Sequence, residues 1–144
     1  MRFWRNTFAG PLLFFLLALV LDTAVTALGT DYFSAIEREG NPIVRWLWEI
    51  FGEARILLPL LWAGVISGAA YFLLKRVKPF LGVWLLYGIG VGHFLGFLSW
   101  TPLQTFVYSG NSSSVFYNLG AQVIISAVLG FLFAKIQLRI SEKI

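Results

Sequence analysis

The 144-residue sequence has no cysteine, one methionine and one histidine, and charged residues make up only 12% of it. Without cysteine there are no disulfide staples, thiol nucleophiles or thiolate metal sites. With one histidine, bis-histidine haem ligation is impossible, and a Ser-His-Asp set could form only around His93; no Gly-x-Ser-x-Gly elbow accompanies it. There is no phosphate-binding glycine loop and no dinucleotide fingerprint. The shortage of charge excludes more. Soluble domains carry roughly 25% charged residues. Here not one falls between Pro79 and Ala134. A soluble domain of this size must turn much of its surface to water and cannot hold so long an uncharged run. Disorder and coiled coils are excluded by the same composition, in which 58% of residues are hydrophobic.

What is there reads as membrane helix. A span needs about 20 mainly apolar residues. The sequence predicts an all-α fold, a single four-helix transmembrane domain over residues 1–144, with spans at about 8–29, 56–74, 79–100 and 115–134. The polar run Ser109-Gly110-Asn111-Ser112-Ser113-Ser114 separates the last two. Pro11, Pro59 and Pro79 fall in or near predicted first turns, where the missing N–H costs nothing, and Pro102 lies past a helix end. No proline kink is expected. Arg2 and Arg5 before an apolar run, with Val25-Thr26-Ala27 after it, also suit a cleaved signal peptide, but cleavage would leave three spans and the retained span is the reading taken.

The first link is polar and contains a short helical pattern. Asn41-Pro42 suits a cap and first turn, and Ile43, Trp46, Leu47, Ile50 and Phe51 recur at helical spacing up to Gly52. This predicts an amphipathic helix over 42–51 at the membrane surface, where Trp46 and Trp48 suit the headgroup level.

The basic residues sort by side. Arg2, Arg5, Lys75, Arg76, Lys78, Lys135, Arg139 and Lys143 fall on one face of the predicted topology; Arg38, Arg45 and Arg55 fall on the other, among five acids. The positive-inside rule makes both termini cytoplasmic in the cell membrane. The formal charge of +4 is thus a topology signal, and nucleic acid is not an expected partner. The lipid bilayer is the expected partner.

A few polar residues remain inside the spans. Asp22 costs roughly 2.5–3.5 kcal/mol near mid-membrane. Thr26 follows one turn later, and His93 lies in the third span. Ser114, Asn118, Gln122 and Ser126 form a four-residue stripe in the fourth. Asp22, His93 and Gln122 each lie about seven residues, roughly 10 Å, below the same surface. This level predicts an outward-opening polar pocket of Asp22, Thr26, His93, Asn118 and Gln122, with Glu39 and Asn41 from the loop over it. Each feature has a bland alternative. Asp22 and His93 can be a structural pair, the stripe can be helix-to-helix glue, Glu39 a solvated charge and Asn41 a cap. Gly64 with Gly68, and Gly88 with Gly92 and Gly96, are small-residue steps that allow close helix packing or contact between copies in a homo-oligomer.

Three functions fit these residues. In the first, the pocket binds or transports an ion, a proton or a small polar solute. In the second, Asp22, Glu39 and His93 hold a divalent metal for a membrane enzyme acting on a lipid-linked or membrane-borne substrate. In the third, the chain is a non-catalytic subunit of a membrane complex. The first is favoured and no cofactor is expected, because no compact metal or enzyme motif is present.

Leu21-Asp22-Thr23-Ala24-Val25-Thr26, followed by Glu39-Gly40-Asn41-Pro42, resembles an uncharacterised family of small prokaryotic four-helix membrane proteins. That family has an Asp-to-Thr step late in helix one and a Glu-x-Asn-Pro motif opening the next helical segment. The likeness covers about the first half of the chain. It implies the same topology, directs attention to Asp22, Thr26, Glu39, Asn41 and Pro42, and brings no known activity.

Overall fold

The computed structural model describes residues 2–29, 42–99 and 112–141. Among them there are helices and no strand. Helix α1 is Arg2–Gly29 and α2 is Pro42–Phe51. A 3₁₀ turn, Gly52–Leu57, leads into α3, Leu58–Phe72. Gly52 takes a left-handed backbone (φ 52°), which glycine adopts without a Cβ penalty. A π turn, Leu73–Val77, closes α3; α4 is Pro79–Ser99 and α5 is Ser112–Ser141.

Four of these helices are long and apolar enough to cross a membrane, over Thr7–Val25, Leu58–Val77, Pro79–Leu98 and Gly120–Ser141. At 1.5 Å per residue each reaches roughly 30 Å, the thickness of a hydrocarbon core. The helix α2 lies between the first two, as its spacing predicts. Ile43, Trp46 and Ile50 on its apolar side are exposed, and Arg45 Nε meets Glu49 Oε1 at 3.3 Å one turn on.

One expectation is corrected, and two helices run further than the expected spans. Pro11 is inside α1, because the helix already begins at Arg2. It has no N–H to donate back along the helix, and Pro11 and Thr7 are both fully buried. The second span continues past Leu74 to Val77, carrying Lys75 and Arg76 on its last turn. The fourth helix runs well past Ala134, so Lys135 and Arg139 lie on it rather than after it. Long basic side chains permit this, since their stems lie along apolar surface. The Lys135 ammonium sits 4.7 Å from the centre of the Phe131 ring.

The turn between α3 and α4 follows from Pro79. The residue before a proline is driven out of the helical region. Lys78 is accordingly extended (φ −144°, ψ 129°), and its N–H donates to the Leu73 carbonyl at 2.9 Å.

Helix α4 is central and touches α1, α3 and α5. Phe15 and Leu19 of α1, Ile66 and Ala70 of α3 and Leu86 of α4 form one buried cluster. Leu74, Val83 and Ala134 form another. Glycines of α4 serve three neighbours. A Cβ on Gly82 would lie 2.4 Å from the Ala70 carbonyl oxygen of α3, and one on Gly90 would lie 2.8 Å from the Phe14 ring of α1. Gly88 and Gly92 face Ser126 of α5. The Trp84 indole N–H donates to the Ala127 carbonyl at 2.9 Å across the same α4–α5 contact.

Gly64 and Gly68 differ from their expected packing role. A Cβ at either would meet nothing within 4 Å. The packing face of α3 runs through Ala63, Ile66 and Ala70 and continues at Leu74 of the π turn, and Gly64 lies one residue round the helix from it. Gly64→Ala and Gly68→Ala should each therefore leave the bundle intact and stabilise it by up to about 1 kcal/mol through helix propensity. Thermal unfolding in detergent checks this. A loss of stability would show a contact made by something other than this chain.

Candidate functional site

Phe15, Leu19 and Asp22 stand at helical spacing on one side of α1, and the first two are buried against α3 and α4. Asp22 is therefore carried on the packing side of α1 rather than its outward side, where Leu13, Leu17 and Val20 are exposed. It meets the lone histidine. His93 Nδ1 lies 2.8 Å from Asp22 Oδ2, and each side chain is 22% exposed. Phe15 packs beside the imidazole, with ring centres 6.2 Å apart.

A third helix reaches the same ring. The Trp62 indole N–H of α3 donates to His93 Nε2 at 3.0 Å. An indole nitrogen can only donate, so Nε2 must supply a lone pair. The single proton of a neutral imidazole then sits on Nδ1 and points to Asp22, which accepts it. The chain Trp62 to His93 to Asp22 thus runs from α3 through α4 to α1. All three residues fall within segments apolar enough to cross a membrane.

Gly96 makes room for the carboxylate. A Cβ there would lie 2.9 Å from Asp22 Oδ1 and 3.0 Å from Oδ2. The four-residue glycine step on α4 consequently divides its work. Gly88 and Gly92 meet α5, while Gly96, further round the helix, seats Asp22 of α1.

The remaining expected residues are less fully placed. Gln122 is half-buried on α5 and engaged in an interaction. Ser126, at the end of its stripe, is buried beside Gly92, and its hydroxyl has no hydrogen-bond partner among the described residues. The backbone of Thr26 and of Asn118 is helical, but their side chains lie outside the described residues, as do Glu39 and Asn41 altogether. Trp62 is the residue that sequence reasoning misses. Its signal was available: it lies about six residues into the second span, the depth already assigned to Asp22 and His93, and an indole N–H in hydrocarbon needs an acceptor.

Among the described residues no three His, Asp or Glu side chains converge as a metal set. Both nitrogens of His93 are engaged, so the ring turns no lone pair toward a metal in this arrangement. A cavity of about 220 Å³ lies elsewhere, lined by Phe14, Tyr87, Phe133, Ile136 and Gln137. It is largely apolar and includes neither Asp22 nor His93. In its lining the Tyr87 hydroxyl donates to Gln137 Oε1 at 3.3 Å.

No family model, curated protein or solved structure matches the chain. The functional argument therefore rests on the site.

Proposed function

We propose that this chain is an integral protein of the cell membrane, with both termini cytoplasmic, α2 lying at the outer interface, and an outward-facing polar recess at Asp22 and His93. The recess binds or transports an ion, a proton or a small polar solute. The observation that carries this reading is the 2.8 Å contact between a carboxylate and an imidazole inside segments long and apolar enough to span the bilayer. Ionisable groups are expensive at that depth and are kept there mainly where they serve a pathway or a ligand. The basic bias of one face supports the orientation. The exposed Trp46 and Ile50 of α2 suit a headgroup boundary.

Purified protein in liposomes tests the reading. Flux of protons or small cations should fall by roughly tenfold or more in Asp22→Asn and in His93→Ala, the loss expected when a charge-assisted hydrogen bond goes. Flux that survives both substitutions overturns the role of this pair. Wild-type protein that neither passes nor is thermally stabilised by any ion or solute tried overturns the function.

A further inference from the structure

The helix α3 is held unevenly along its length. Towards its C-terminal end Ile66 and Ala70, and Leu74 of the π turn after it, are buried at 7%, 0% and 2% exposure. There Gly82 lets α4 come so close that a Cβ would strike the Ala70 carbonyl. Towards its N-terminal end Leu58, Pro59 and Ala63 are only half-buried. Ala63 reaches the buried cluster, and just before it the Trp62 indole makes its bond to His93. One end is clamped by backbone contact, and the other combines lighter packing with the indole bond to a ring nitrogen.

We propose that Trp62 is a positioning residue and latch for the Asp22–His93 pair. Its N–H occupies the Nε2 lone pair while Asp22 accepts the proton on Nδ1, and it ties the N-terminal half of α3 to the imidazole. The Nε2 lone pair is covered for as long as Trp62 stays. Trp62 is 42% exposed, so the lone pair is uncovered when its ring turns out or when that half of α3 swings about the Gly82–Ala70 contact and the π turn at Leu73–Val77. The meaning of the latch for transport rests on the function proposed above. The bond itself does not, and it is tested without a flux measurement.

His93 is the sole histidine, so ¹⁵N-histidine labelling of untagged protein reports one ring. In wild-type protein Nδ1 is expected as the protonated, pyrrole-type nitrogen and Nε2 as the acceptor. In Trp62→Phe, which keeps an aromatic ring and loses the donor, the Nε2 signal moves as its hydrogen bond is lost, while Nδ1 keeps the proton that Asp22 accepts. Amides at the N-terminal end of α3 then exchange about 5- to 30-fold faster, while those near Ala70 are unchanged. Trp84→Phe removes an indole donor from the α4–α5 contact and leaves the His93 signals as they were. A wild-type Nε2–H tautomer overturns the proposal, even if the variant fails to fold. Unchanged His93 signals and exchange in Trp62→Phe also overturn it, as does an equal response to Trp84→Phe. If the tautomer is as expected but liposomes show no flux, the latch stands and the transport reading alone fails.

Discussion

Gly130→Val should destabilise the bundle by about 1–3 kcal/mol or more, the usual cost of overpacking. A Cβ at Gly130 of α5 would lie 2.6 Å from the Gly88 nitrogen and 2.7 Å from the Gly88 Cα of α4. Both atoms are backbone, so no side chain can rotate out of the way and the two helices must part. Parting them also stretches the Trp84 bond to the Ala127 carbonyl, one turn away. In lipid this is costly, because the hydrocarbon tails are as apolar as the helix surfaces and close van der Waals contact is what favours association. Unfolding in mixed detergent micelles measures the loss. A Gly130→Val protein within about 0.5 kcal/mol of wild type, the range of an inert surface change, would show that α4 and α5 do not meet this closely.

Gly96→Ala should separate the site from the scaffold. The added methyl meets the Asp22 carboxylate at about 3 Å on both oxygens, and the carboxylate is the end of a side chain that can rotate. The fold is retained, and the 2.8 Å bond to His93 is what gives way. Hydrogen bonds to charged groups contribute about 1.5–3 kcal/mol, so binding or flux at the pair should fall by roughly 10- to 100-fold. The ¹⁵N signal of His93 Nδ1 should move with it. Gly88→Ala is the matched control, since its Cβ meets the Ser126 carbonyl at an ordinary 3.6 Å. Equal losses in the two variants would mean that Gly96 acts through general packing and not through Asp22.

How much of this was legible differs from residue to residue. The level shared by Asp22 and His93 could be counted from span boundaries, since a helix rises by a fixed amount per residue. That they touch could not be counted, because depth says nothing about which sides of two helices face each other. Trp62 lay at the same level but carries no charge, so it did not stand out in a composition-based reading. Gly130 does not stand out in the sequence, because its four-residue step pairs it with Ser126, where the polar stripe ends, and not with another glycine. Gly64 and Gly68 show the converse: the same spacing as Gly88 and Gly92, with open space in front of it.

The sequence by itself determined the number of long apolar helices, their approximate limits, the turn at Pro79 and the short helix after residue 41. Each follows from a local cause: hydrocarbon thickness, the steric demand of proline on the residue before it, or apolar spacing with a glycine stop. Only the tertiary structure decided which glycines are contacts, that Asp22 and His93 share a hydrogen bond, and that Trp62 completes the chain from a third helix. The reason is physical. Helices apolar on every side carry no amphipathic stripe to mark the inward face. Their pairing is settled by where backbones can approach and polar atoms can find partners, and both are properties of several helices at once.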